Sequence, residues 1–298
     1  MLIDHEGAGS SVTVKVVGGL GNQLFCFFAG NYLASINASN LILDMSDIRM
    51  GRSRHNVTIE SFDIKGRFIG KRGNFIENLA IKVSQKAKKF GLVKDSSEYF
   101  SNVIGFDPKL STLPVPVTIN GYFQSYKYFY HAKDALHSFS LRSPSPWFVD
   151  LEKFFDSQPV IAVHVRRGDY KNLQDSYGLL SSDYYNACLD KIKATGINLP
   201  IYVFSDDIGV AKEILGDTYG NSVTWVEPPH NSDPAESLLL MSKAKVNVIA
   251  NSTFSWWGAA LNRESNVVYA PKKWFKNLPD PELLYPPEWI QVDSFWED

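Results

Sequence analysis

Four short polar clusters hold the residues best suited to chemistry. His164-Val165-Arg166-Arg167-Gly168-Asp169 closes an apolar run over 160–165 and combines an imidazole, two guanidiniums and a carboxylate. An arginine at a strand end is a fixed fork of donors suited to a phosphate. Alternation along a strand sets His164 and Arg166 on one face and Arg167 on the other. Arg167 and Asp169 also have the types to pair with each other and fasten the loop. His164 is open to two readings, a ligand or base and a hydrogen-bonded core residue. Asn251-Ser252-Thr253-Phe254 stands between a strand pattern and a helical one. Hydroxyls there cap the helix, and its free N–H groups make an anion site. Ser205-Asp206-Asp207 ends another apolar run, with carboxylates able to accept from a ribose or a guanine N–H edge. The D-x-D spacing of a nucleotide–metal clamp is absent, so no metal is expected. Gly18-Gly19-Leu20-Gly21-Asn22 leaves room for a ligand to approach the backbone. It lacks the third glycine of a dinucleotide fingerprint.

These clusters need elements to position them. Short apolar runs at 12–17, 41–44, 160–165, 201–204, 223–226, 246–250 and 266–270 read as strands. Helical patterns occupy 23–34, 75–90, 182–193, 237–244 and 253–262. Apolar strands alternating with helices imply a parallel sheet covered on both faces. In such sheets ligands sit at the carboxyl ends of strands, where all four clusters fall. Ser143-Pro144-Ser145-Pro146 is the strongest linker signal. The expected fold is α/β, with two Rossmann-like domains over 1–145 and 146–298 facing each other across a cleft. The C-terminal end is left open to packing back on the first domain.

Composition narrows the function. The 298 residues carry a formal net charge of −2, which argues against a general nucleic-acid binder. Two cysteines, Cys26 and Cys188, support neither a disulfide scaffold nor a zinc site. No apolar run approaches the roughly 20 residues of a membrane span, and the start lacks a signal-peptide pattern. A cytoplasmic protein is expected. Nine Lys or Arg against one acid between Lys65 and Lys94 read as a solvated helix face. The alternative for that stretch is weak association with a membrane surface or an anionic carrier-linked substrate.

Taken in order, several strings resemble the α-1,2-fucosyltransferases of glycosyltransferase family 11. They are Gly18-Gly-Leu-Gly-Asn-Gln-Leu-Phe, Gly121-Tyr-Phe-Gln-Ser, His164-Val-Arg-Arg-Gly-Asp-Tyr, Leu180-Ser-Ser-Asp-Tyr-Tyr, Phe204-Ser-Asp-Asp, Ile249-Ala-Asn-Ser-Thr-Phe-Ser-Trp-Trp-Gly-Ala and Ala270-Pro-Lys-Lys-Trp-Phe. The matches run from residue 18 to about 290. The resemblance implies a GT-B architecture, with an N-terminal acceptor-side domain and a C-terminal domain holding GDP-β-L-fucose. It implies an inverting, metal-independent transfer of fucose to the 2-hydroxyl of a terminal galactose in an oligosaccharide or surface glycan, as in O-antigen assembly.

By the same resemblance, Arg166 would bind the β-phosphate, supported by His164 and Arg167. Ser252, Thr253 and Phe254, with Asn251 beside them, would face the pyrophosphate. Ser205 and Asp206 would contact the guanosine, and Gly19, Gly21 and Asn22 would line the opposite side. Asp169 is the first candidate for a general base, with Asp44 and Asp47 as alternatives. The competing readings are a GDP-sugar transferase making an α-1,3 or α-1,6 linkage, and a nucleotide-sugar-binding protein without catalysis. An NAD-dependent epimerase would need a Tyr-x-x-x-Lys pair, a spacing that neither Tyr122 nor Tyr126 makes with Lys127.

Overall fold

A computed structural model describes residues 10–49, 59–70, 97–132, 139–219, 223–262 and 266–297. The chain divides into two compact units, Met1–Ser140 with Pro281–Leu284, and Leu141–Asp280 with Tyr285–Asp298. Residues 281–284 thus belong with the first unit.

In the first unit, β1 (Ser11–Lys15), β2 (Asn40–Asp44), β3 (Arg67–Ile69), β4 (Ser97–Phe100) and β5 (Val117–Asn120) form one sheet in the order β3-β2-β1-β5-β4. Every pairing in it is parallel. The helix Leu20–Ile36 is buried at most positions from Leu20 to Ala34. That explains an apolar run without a polar stripe, since a helix covered all round needs none. It begins three residues before the expected 23, because Gly19 and the glycine turn form its entry.

The second unit holds β6 (Ile161–Val165), β7 (Ile201–Ser205), β8 (Val223–Trp225), β9 (Val246–Val248), β10 (Val267–Pro271) and β11 (Ile290–Val292), ordered β8-β7-β6-β9-β10-β11. All its pairings are parallel too. Counted from its own first strand, the order is 3-2-1-4-5-6, that of a doubly wound dinucleotide-type sheet, with the reversal between β6 and β9. All five residues of β6 and all three of β9 are buried, as strands covered on both faces require. Val163, Val165, Tyr184, Tyr185, Cys188, Val203 and Val248 anchor this core at zero exposure. Each such side chain contributes roughly 1.5–3 kcal/mol of burial. Cys26 and Cys188 are buried free thiols, each pushed up to about 12, chiefly by desolvation.

Two further helices depart from the sequence reading. The Ser-Pro pair opens a helix instead of a loose linker: Ser145 Oγ accepts from the Phe148 N–H at 3.2 Å, and Pro146 starts the helix Pro146–Ser157. Proline fits there because the first helical N–H needs no partner. The helix expected at 237–244 spans Pro234–Met241, since Asp233 caps it by accepting from Ala235 N–H at 2.9 Å. Among the described residues no helix is long and apolar enough to cross a membrane. The basic stretch from residue 71 onward, with the helical pattern at 75–90, lies outside the described residues.

Candidate functional site

Parallel register brings three expected clusters to one edge of the second sheet. Val165 pairs with Ser205 and Val163 with Val248, so the chain leaves β6, β7 and β9 at the same end. Arg166 leads out of β6 and Asn251-Ser252 follows β9, on either side of the reversal in strand order. A crevice at this switch point is where open α/β sheets take ligands.

Arg166 is held on two sides. Its Nη1 meets Asp206 Oδ2 at 3.1 Å, and its guanidinium carbon lies 5.2 Å from the centre of the Tyr170 ring. The Tyr170 hydroxyl donates to the Asn251 carbonyl at 3.1 Å and so ties the loop after β6 to the loop after β9. The Arg166 side chain is 23% exposed, and a planar fork fixed in this way needs little reordering to receive an anion. Asp206 also accepts from the Arg167 N–H at 2.9 Å, so its two oxygens span consecutive residues of the β6 loop. Gly168 is forced by this arrangement, because a Cβ there would run into the Asp206 carboxylate.

Arg166 and Arg167 both lie beyond the end of β6, and Arg167 is the buried one of the two. Its side chain is 1% exposed, and Nη2 donates to the Leu180 carbonyl at 2.6 Å and to Glu297 Oε1 at 2.7 Å. Among the described residues, Glu297 is the carboxylate paired with Arg167. The Asp169 side chain lies outside the described residues. Asn251 is 2% exposed, and its amide donates to the Tyr177 carbonyl at 3.0 Å and more loosely to those of Gly178 and Trp274. Both Arg167 and Asn251 hold the framework behind the edge.

His164 is 3% exposed, with its ring 5.6 Å from that of Phe254 and its Nδ1 buried without a hydrogen-bond partner among the described residues. Desolvation, followed by the charge on Arg166, lowers its pKa to about 3. The imidazole is neutral across the physiological range and a poor proton acceptor. Ser252 stands at the N-cap of the helix Thr253–Ala260, yet its side chain makes no capping bond. The first-turn N–H groups of a helix have no intrahelical partner, so the Thr253 and Phe254 amides are the anion-binding kind. Ser205 Oγ accepts from Asp207 N–H at 3.0 Å and shapes the turn after β7. Lys171 Nζ, 3.0 Å from Asp207 Oδ2, together with the Val210 N–H, holds the Asp207 carboxyl below the usual range. Among the described residues no group of three or more His, Cys, Asp or Glu side chains is placed to hold a metal ion.

The glycine cluster lies in the first unit. Gly18 has φ of +72°, a value L side chains rarely adopt, and Gly19 caps the helix Leu20–Ile36 without a side chain. Gln23, given no role by the sequence, clamps this turn: its Nε2 donates to the Gly18 carbonyl at 3.0 Å while its Oε1 accepts from Ile59 N–H at 3.1 Å. Asn22 Oδ1 accepts from Gln124 Nε2 at 3.0 Å. Asp44, at the end of β2, accepts from the N–H and hydroxyl of Ser46, and Asp47 lies in the following turn of helix. Tyr170, Glu297, Gln23 and Gln124 are the residues sequence reasoning missed. Tyr170, Gln23 and Gln124 stand in the strings His164 to Tyr170, Gly18 to Phe25 and Gly121 to Ser125, which were a signal; Glu297 offers none.

Comparison with known proteins bears on what these sites do. The family model of glycosyl transferase family 11 matches residues 73–293. An alpha-1,2-colitosyltransferase of Escherichia coli is 29% identical over 303 residues, covering 96% of this chain and all of that protein. A galactoside 2-alpha-L-fucosyltransferase of Caenorhabditis elegans is 23% identical over 212 residues, 58% of this chain and 52% of its own length. A solved structure of an Arabidopsis thaliana FUT1 variant in complex with GDP aligns at a TM-score of 0.52 and 15% identity, covering 91% of this chain and 73% of that one. It shares the fold, two Rossmann-like units of the GT-B type. With about three quarters of its length matched, this chain belongs to glycosyl transferase family 11 and is a glycosyltransferase.

Proposed function

We propose that the chain transfers L-fucose from GDP-β-L-fucose to the 2-hydroxyl of a terminal galactose, with inversion and without a metal. The observation that carries this reading is Arg166, held by Asp206 and Tyr170 beside the uncapped helix Thr253–Ala260. The bond broken is C1 of fucose to the β-phosphate oxygen, and negative charge grows on GDP as it leaves. A preorganised guanidinium and helix N–H groups stabilise that charge more in the transition state than in the ground state. The bond formed joins C1 to the galactose O2 on the opposite face, and the hydroxyl proton passes to a base. Asp169 is the first candidate by its place two residues after Arg167, with Asp44 and Asp47 as the alternatives in the first unit. His164, neutral and buried, supports Arg166 without taking the proton.

The relatives that act on α-1,2 linkages support the linkage, and the colitosyltransferase favours one other reading, in which the same linkage is made from a GDP-colitose donor. The deciding experiment incubates purified protein with each GDP-sugar and a panel of β-galactosides, EDTA present, followed by NMR of the product. An α-fucosyl group on the galactose 2-hydroxyl is the expected outcome. Turnover of GDP-colitose alone establishes the second reading. A fucosyl product at O3 or O6 overturns the linkage, and tight GDP binding with no donor consumed overturns catalysis.

A further inference from the structure

Beyond the charged edge, the first unit carries a constellation that the transfer chemistry above does not use. Gln124 follows β5, 6% exposed, at the carboxyl edge of its sheet. Its Nε2 donates to Asn22 Oδ1, while its Oε1 is buried with no hydrogen-bond partner among the described residues. Gln124 N–H donates to the Ile104 carbonyl at 2.6 Å, and Phe123 before it has φ of +52° with its ring fully buried. The backbone on both sides therefore sets where the amide lies. Asn22 belongs to the first turn of the helix Leu20–Ile36, whose N-cap is a glycine without a side-chain bond. Tyr122, next to this turn, is 47% exposed.

The chemistry of the orphan atom selects its ligand. Buried amide oxygens almost always accept a hydrogen bond. An acceptor requires a donor, which excludes phosphate and carboxylate and leaves a hydroxyl or amine. The other groups here, a second carboxamide and peptide N–H, are neutral, and Lys15 at the end of β1 is paired with Glu98. Carboxamides donate and accept at once, as hydroxyls do, and an exposed aromatic ring offers a face to a sugar's C–H surface. We propose that Gln124, Asn22 and Tyr122 form a subsite for a sugar hydroxyl, which donates to Gln124 Oε1. The sugar is the acceptor galactoside or the fucosyl group of the donor; this identification rests on the transferase reading, whereas the hydroxyl recognition does not.

The test uses Gln124→Leu, close in volume but unable to accept, and Tyr122→Ala, at an exposed position where folding is safe. Thermal unfolding checks both. In transfer assays the KM for the galactoside is expected to rise tenfold or more in each variant, with GDP inhibition unchanged; a rise confined to the GDP-fucose KM assigns the hydroxyl to the donor sugar instead. Monodeoxy galactosides sharpen it: the deoxy position that weakens wild type tenfold weakens Gln124→Leu less than twofold. Independently of turnover, saturation-transfer NMR with methyl β-galactoside and methyl α-L-fucoside is expected to show contact in wild type and its loss in Gln124→Leu. If wild type fails to transfer fucose yet binds either sugar through Gln124, the transferase reading falls and the subsite stands. Sugar KM values within twofold of wild type in both variants, or no sugar signal from wild type, overturn the subsite.

Discussion

The two sheets put opposite chemistry at equivalent places. Each has a reversal of strand order, β6 against β9 in one and β1 against β5 in the other, and a helix N-terminus beside it. The second unit fills that place with charge, Arg166 against Asp206 and Lys171 against Asp207, leaving these side chains partly in water. The first fills it with carboxamides, Gln23 and Gln124, buried almost completely. Solvation explains the division, since a bonded amide is buried at little cost whereas an ion pair loses far more hydration. The same scaffold thus makes one edge whose chemistry suits anions and one whose chemistry suits hydroxyls.

The strongest way to break this comparison is to remove the charge. Arg166→Ala is expected to lower the transfer rate by about 10²–10³, the usual effect of deleting one donor aimed at developing charge. Thermal unfolding should barely change, because the side chain is partly exposed. Activity within threefold of wild type would remove Arg166 from the phosphate site and leave the two edges without functional contrast.

A milder change asks whether the charge must also be aimed. Asp206→Asn keeps the shape and one acceptor oxygen but loses the ion pair with Arg166. Misplacing a catalytic group costs on the order of tenfold to a hundredfold. The loss should appear in kcat, with Asp206→Ala worse than Asp206→Asn. Equal, wild-type kcat in both variants would show that the guanidinium is held in place without Asp206.

The contrast between the edges also explains what the sequence disclosed. β6, β7 and β9 were legible because strands buried on both faces read as unbroken apolar runs. β3, β4 and β11 were not, being edge strands of three or four residues, largely exposed or half-buried, with no pattern to count. The helix Pro146–Ser157 hid behind two prolines, whose signal for a chain break is also the signal for a first helical turn. Arg166, His164, Asp206 and Ser252 were legible as polar residues where apolar strands stop. The Gln124–Asn22 bond spans 102 residues and the Arg167–Glu297 pair 130, so neither leaves a local trace.

Acid sharpens the comparison, because His164 is the titratable group behind the charged edge. Its folded pKa, about 3, lies below the unfolded value of roughly 6.5. Between those values the unfolded chain binds the proton and the folded chain does not, so stability rises with pH there. The contribution is fully present above the unfolded value and is lost as pH falls toward 3. His164→Gln should flatten this part of the thermal-stability profile between pH 4 and 7, while the transfer rate of wild type shows no inflection from this group near neutrality. An unchanged stability slope in the variant would place the imidazole in water.

The smallest expected effect tests the comparison at its root. If Arg166 and the Thr253 and Phe254 amides supply the positive field for departing GDP, a divalent cation has no charge left to neutralise. Excess EDTA should then leave the transfer rate unchanged, and added Mg²⁺ or Mn²⁺ should do no more. A collapse in EDTA restored by either cation would mean the second edge is short of positive charge as the chain builds it. Asp206 and Asp207 would then have to be considered as metal-facing carboxylates in place of partners for Arg166 and Lys171. Arg166→Ala separates the two cases in one assay: under the metal-free reading its defect persists at any Mg²⁺ concentration, because a hydrated cation cannot reproduce a fork fixed by Asp206 and Tyr170.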